Sequence, residues 1–207
     1  MEKKKISSVN WLLIALLSLA GQLTWAIENN TFATYATTVT GKALVVTLMV
    51  DFSAAFSMIA AFLSGTLSDR LGRRRKIIYI GFILWGLFTI VFGLADFIPK
   101  TNGVLLGFYL VLMDSVMSFF GAFGYSGAFN AWTTDISDES NRGTVATITS
   151  AATIVGNIII VGLQGMLIEK FGFLPIFIGM GILICIFGIV SLLLLKDSPD
   201  LKPSVTH

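Results

Sequence analysis

The sequence predicts an all-α integral membrane protein with six transmembrane helices, and three observations carry that expectation. Of the 207 residues, 55% are hydrophobic and only 13% charged, against roughly 25% charged in an ordinary soluble domain; the mean hydropathy is +0.85. Six apolar runs, at about 9–27, 43–67, 77–95, 104–132, 144–168 and 173–195, each approach or exceed the ~20 residues a helix needs to cross a hydrocarbon core of about 30 Å. The charges lie mostly between the runs, most densely in Asp69-Arg70-Leu71-Gly72-Arg73-Arg74-Arg75-Lys76. Backbone in lipid must satisfy its own hydrogen bonds, so the runs are helices. Strands of a membrane barrel would be shorter and half polar. Residues 1–195 read as one transmembrane domain and 196–207 as a tail or the start of a linker.

The first run follows Lys3-Lys4-Lys5 and has the look of a secretory signal, but its apolar character outlasts a signal core and five more runs follow. It reads as an uncleaved first helix. The five cations of the second loop place that loop in the cytoplasm, because basic residues in short loops are retained there. Both termini are then cytoplasmic, and only Lys42, Lys100 and Lys170 among the Lys and Arg residues fall outside. Charge is thus explained by topology and gives no indication of nucleic acid. The lone Cys185 and the terminal His207 offer neither a disulfide nor a metal framework, and no cofactor motif is present.

Polar residues inside the runs are the functional candidates. In helix 1, Ser18, Gln22, Trp25 and Asn29 recur at helical spacing and share a face expected to look inward; hydrogen bonding that holds the bundle together and the lining of a cavity weigh about equally for it. Glu28, near the outer end, reads as solvated. Asp51 in helix 2 is an ionisable group within an apolar run, a functional candidate by default. It lies 14 residues from Gly65, about 21 Å at 1.5 Å per residue, toward the outer third of the core. Gly65 itself reads as a close-approach point between helices.

Helix 4 is the richest run. Asp114, Ser118, Gly121 and Tyr125 fall on one face, and Gly121, Gly124 and Gly127 offer close helix contact. Asp114 lies 11 residues beyond Gly103, about 16 Å down the axis and near the midplane, where secondary transporters hold substrates and coupling ions. It ranks first as a proton or cation site, with a purely packing carboxyl as the alternative. Asn157 and Gln164 share a face of helix 5 and read as cavity wall or bundle glue. Helix 6 is nearly all apolar. No nucleophile with a base, metal-ligand set or phosphate loop argues for an enzyme.

The stretch Gly65-x-Leu67-x-Asp69-Arg70-x-Gly72-Arg73-Arg74 resembles the loop between helices 2 and 3 of major facilitator superfamily transporters. The acidic stretch Asp138-Glu139 followed by Arg142-Gly143 is similar to the superfamily's loop between helices 4 and 5. The phrases from Gly21 to Asn29 and from Asp114 to Gly121 resemble bacterial sugar-cation symporter relatives, although the paired helix 2 carboxylates of the melibiose-carrier branch are absent. The resemblance implies one six-helix half of a two-half fold. It also implies a cytoplasmic gate in which Asp69 meets a basic neighbour, with Arg70 and Arg73 beside it. Asp135 or Glu139 would pair with Arg142 or across to the basic loop.

The expectation is a secondary active transporter in a bacterial or archaeal cytoplasmic membrane. It would move a small-molecule substrate, with sugar the implied class, coupled to a proton or sodium ion by alternating access. A second six-helix half or a homodimer would complete the cavity. The alternative is a non-transporting scaffold that pairs with another six-helix unit.

Overall fold

A computed structural model describes residues 5–199, 201 and 203. Lys3 and Lys4 of the N-terminal basic cluster, Lys202 and His207 lie outside the described residues. Six helices are long and apolar enough to cross a membrane: α1 Ser8–Thr40, α2 Ala43–Leu71, α3 Arg74–Phe97, α4 Gly103–Ile136, α5 Arg142–Phe171 and α6 Phe173–Leu194. No strand occurs among the described residues.

The local signals explain where these helices start and stop. The Ser7 hydroxyl accepts from the Asn10 amide at 3.2 Å and opens α1, while the Asn102 side chain does the same for Leu105 at 3.2 Å at the head of α4. Gly41 (φ 63°) and Gly72 (φ 59°) close α1 and α2 in the left-handed conformation that glycine adopts without a Cβ penalty. The Gly72 turn takes the Arg73 amide back to Ser68 O, so that α3 begins at Arg74 directly beyond the turn.

Two helices run well past their expected ends. The first was expected to stop at Ile27 but continues to Thr40 through a π-helical stretch, Glu28–Phe32. The fourth was expected to stop near Trp132 but reaches Ile136 after a second π-helical stretch, Ala122–Phe129. The polar residues that mimic a loop are satisfied by their own helix: Asn29, Asn30, Thr34, Thr37 and Thr38 each bond the carbonyl four residues back. Such π-helical interruptions of an α-helix occur frequently at functional sites.

The helices pack chiefly as α3 on α6, α2 on α4 and α1 on α5, with α4 also against α3 and α6 also against α1. Glycines set the closest approaches. A Cβ at Gly124 would stand 3.0 Å from Gly81 Cα, one at Gly121 would stand 2.6 Å from the Trp85 ring, and one at Gly86 would stand 2.6 Å from Cys185 Sγ. Gly65 corrects its expectation, since a Cβ there meets nothing within 4 Å; what it contributes is its carbonyl, described below. An aromatic cluster of Phe32, Tyr35, Phe92 and Phe177 fills the bundle toward the end opposite the basic loop, with Phe32 and Phe92 stacked at 3.9 Å.

Burial separates inner from outer helices. Only 17% of the most apolar window of α2 or α5 is buried, against 50% for α1 and α3, so α2 and α5 present long apolar faces that include Phe62 and Ile158.

Overpacking a close helix contact costs about 1–3 kcal/mol. Gly124→Val is therefore expected to lower the thermal unfolding midpoint of the detergent-solubilised protein, whereas Gly162→Val, on the open face of α5, leaves it near wild type. Circular-dichroism melts of the two variants check this.

Candidate functional site

The middle of the bundle holds a layer of polar and aromatic side chains contributed by α1, α3 and α4. Gln22 Nε2 donates to Tyr125 Oη at 3.2 Å, and the Tyr125 ring fills the space left by Gly21, where a Cβ would come within 2.7 Å. Trp25 meets Trp85 with ring centroids 5.2 Å apart. Next to this layer Ser118 Oγ donates to Glu28 Oε1 at 2.5 Å. Glu28 and Asp114 are 8% and 2% exposed, and both line one hollow of ≈ 40 Å³ together with Asn29, Ala33, Val46, Met49, Val50 and Ser53.

Glu28 is thus a correction: it is buried among α1, α2 and α4 rather than solvated. Its role could not be read from α1, because the hydroxyl that holds it lies 90 residues away on another helix. The one available signal was its phase, three residues after Trp25 on the same helical face. Asp114, Ser118, Gly121 and Tyr125 are all buried, as one face of α4.

Of the other candidates, Asn29 lines the hollow, while Asp51, Asn157 and Gln164 lie elsewhere. Asn29, expected to look inward, is exposed and donates to Trp25 O at 2.8 Å. Asp51 is exposed on α2. Asn157 is exposed and bonds Thr153 O in its own helix at 2.9 Å, while Gln164 Oε1 accepts from Thr31 Oγ1 at 3.2 Å and ties α5 to the π-helical stretch of α1.

The basic end carries a second polar assembly, and its hub is Arg74. This guanidinium is 7% exposed; it pairs with Asp69 at 2.5 Å and with Asp135 at 2.9 Å, and it also donates to Ser68 Oγ and to Gly65 O. It joins the end of α2, the start of α3 and the end of α4. Arg70 and Arg73, expected beside Asp69, are exposed. The partner of Asp69 is Arg74, because the Gly72 turn starts α3 at that residue and aims it back under α2. Asp135 pairs across to the basic loop, one of its two expected arrangements. Arg142 is exposed at the head of α5, and a Cβ at Gly143 would meet nothing within 4 Å.

Sequence reasoning also missed Arg75, whose guanidinium donates to Leu192 O at the end of α6 and whose amide donates to Asp197 Oδ1 at 2.7 Å. Trp132 Nε1 donates to Lys196 O at 2.9 Å. The chain leaving α6 is held against the basic end by these bonds, with Pro203 packed on Gly72.

The profile of the Major Facilitator Superfamily matches residues 8–207, nearly the whole chain. The chain belongs to the major facilitator superfamily. Comparison with curated proteins and with solved structures found no significant match. Members of the superfamily are membrane transporters, so the class of activity is movement of a small molecule across a bilayer rather than catalysis. Together with the six apolar helices this makes the chain a multi-pass integral membrane protein.

In this superfamily member the Arg74 hub is expected to stabilise the basic end by about 2 kcal/mol, the scale of hydrogen bonds to charged groups. Arg74→Ala should lower the unfolding midpoint in detergent, and Arg74→Lys should recover little of it, since an ammonium lacks the planar fork that reaches both carboxylates. Arg73→Ala should leave the midpoint unchanged. Equal losses for Arg73→Ala and Arg74→Ala would contradict the assignment.

Proposed function

We propose that the chain is a secondary active transporter that moves a small solute by alternating access, coupled to a proton or sodium ion, with sugars the first substrate class to test. The observation that carries this reading is the buried carboxyl of Asp114 in the middle of a membrane bundle. A carboxylate there is expensive and is retained where it does chemistry or binds a cation. Gln22, Trp25 and Tyr125 of the adjacent layer, with the exposed Asn29, Asp51 and Asn157 and the half-buried Gln164, would contribute to the substrate path.

The basic end would be cytoplasmic, and the Arg74 ion pairs with Asp69 and Asp135 would hold one gate state closed; opening would separate α2 from α4 at that end. The exposed apolar faces of α2 and α5 suit a second six-helix unit, supplied by another half or by a second copy of this chain. The ion would bias the two gate states through a difference in its affinity for each, as any ligand-driven shift requires.

Reconstitution in liposomes tests the reading. With an imposed proton or sodium gradient, uptake of radiolabelled mono- and disaccharides is expected to exceed uptake without a gradient, and Asp114→Asn is expected to abolish the gradient-driven part while leaving assembly intact. Gradient-driven uptake that survives in Asp114→Asn would remove that residue from the coupling role.

A further inference from the structure

We infer that Glu28 and Asp114 form a binding site for one sodium ion between α1, α2 and α4, with Asn29 and Ser53 as its neutral oxygen ligands. The inference deepens the transport reading, on which its biological role rests, by naming the ion and a second carboxylate.

The argument starts from what is left over. Glu28 Oε2 and Asp114 Oδ1 are buried and have no hydrogen-bond partner among the described residues. Leaving such oxygens unmatched in a low-dielectric interior is costly, and more so for charged groups. Both residues line the same ≈ 40 Å³ hollow, so the unmatched oxygens belong to one place. The Ser118 hydroxyl is already spent on Glu28 Oε1.

The remaining polar groups of the hollow are biased toward acceptors. The Ser53 hydroxyl donates to Val50 O at 3.1 Å, which leaves its oxygen lone pairs. Asn29 anchors its amide nitrogen on Trp25 O, which leaves its amide oxygen as a further acceptor. Among the described residues, no Lys, Arg or His lines the hollow. A cavity of acceptors with no cation of its own calls for a cation from outside, and one bound ion would remove the repulsion between two ionised carboxyls at close quarters.

Size and donor chemistry select the ion. The hollow, ≈ 40 Å³, exceeds the ~10–15 Å³ that one water needs, so a small ion fits with room for a water beside it. With Glu28 Oε1 held by Ser118, three carboxylate and two neutral oxygens face the hollow, fewer than the 6–8 that calcium takes, while magnesium keeps several waters. Hard oxygen donors exclude the soft metals. Among metal ions a small monovalent hard cation remains; a proton shared between the two carboxyls is the competing occupant, which the pH arm of the test separates from sodium. Ala33, Val46, Met49 and Val50 form the apolar walls of the hollow.

The test uses the purified full chain in detergent, with sodium chloride titrated against choline chloride at constant ionic strength and pH. The thermal unfolding midpoint and tryptophan fluorescence are the two readouts, Trp25 lying one turn before Glu28. A ligand that binds only the folded state raises the midpoint saturably. The expected result is a saturable rise with sodium and little with potassium, and an apparent sodium affinity at least tenfold weaker in Glu28→Gln and in Asp114→Asn. Glu169→Gln, at the far end of α5, should titrate like wild type. Should either carboxyl variant fail to fold, Ser53→Ala is read instead and should weaken sodium binding while keeping the helical spectrum.

Absence of any sodium response in wild type, or an undiminished response in the variants, overturns the site. A response to pH alone that is lost in Glu28→Gln assigns the pair to protons and overturns the choice of sodium. Sodium binding that drives no uptake in liposomes leaves the site standing and refutes the coupled-transport reading instead. Sodium-driven uptake indifferent to both variants does the reverse.

Discussion

A polar group that enters hydrocarbon is costly without a partner inside the protein, and that constraint acts on this chain at three scales. The backbone meets it with six helices. Most hydroxyl and amide side chains meet it locally by donating to a carbonyl three or four residues back, as Thr24, Thr89 and Thr153 do. Charged groups cannot be satisfied that way, and the buried ones among the described residues gather in two places: the Arg74 assembly at the basic end and the Glu28 and Asp114 carboxyls in the bundle. The first carries its own cation, Arg74, between two carboxylates. The second has two carboxylates and no cation from the protein. That asymmetry is what distinguishes a fastening from a site that takes something up.

The fold was legible in the sequence because hydropathy and loop charge are read residue by residue. Six runs, a basic turn at Gly72 and the glycines of α3 all act through local composition, and Gly81, Gly86 and Gly93 lie where their missing side chains admit a neighbouring helix. Hydropathy failed at residues 28–40 for an equally physical reason. Asn29, Asn30 and the threonines are polar in a transfer scale, yet in a helix their donors return to their own backbone, so a polar stretch continued α1 instead of ending it. A scale that scores side chains singly has no means of recording that self-satisfaction.

Charge partners were less legible than charge positions. Asp69 lies in a run of cations, and any of Arg70, Arg73, Arg74 or Arg75 satisfies a sequence rule for its neighbour. The choice of Arg74 follows from where α3 begins, which depends on the single left-handed residue Gly72. Arg75, one position on and rotated about 100° around the helix, points to Leu192 instead and holds α6. Glu28 was illegible for the same reason at longer range: its value depends on Ser118, and nothing in either segment announces the pairing.

The two charged assemblies are connected through α4, which carries Asp114 and Ser118 in its first part, the π-helical stretch Ala122–Phe129 in its middle and Asp135 near its end. A π-helical stretch holds its i→i+5 bonds at a local cost and is the place where a helix can change register by one residue. Tyr125 sits within it and takes a hydrogen bond from Gln22, so α1 grips α4 at the point where α4 is least regular. The α1 end of that grip lies six residues before Glu28, where α1 has its own π-helical stretch. An event at the proposed site would have to pass along α4 through this π-helical stretch to reach the Asp135 pair with Arg74. Regular α-helix between the two assemblies would couple them as one body. The interruption would let the bundle centre and the basic end adjust separately, as the proposed gate requires.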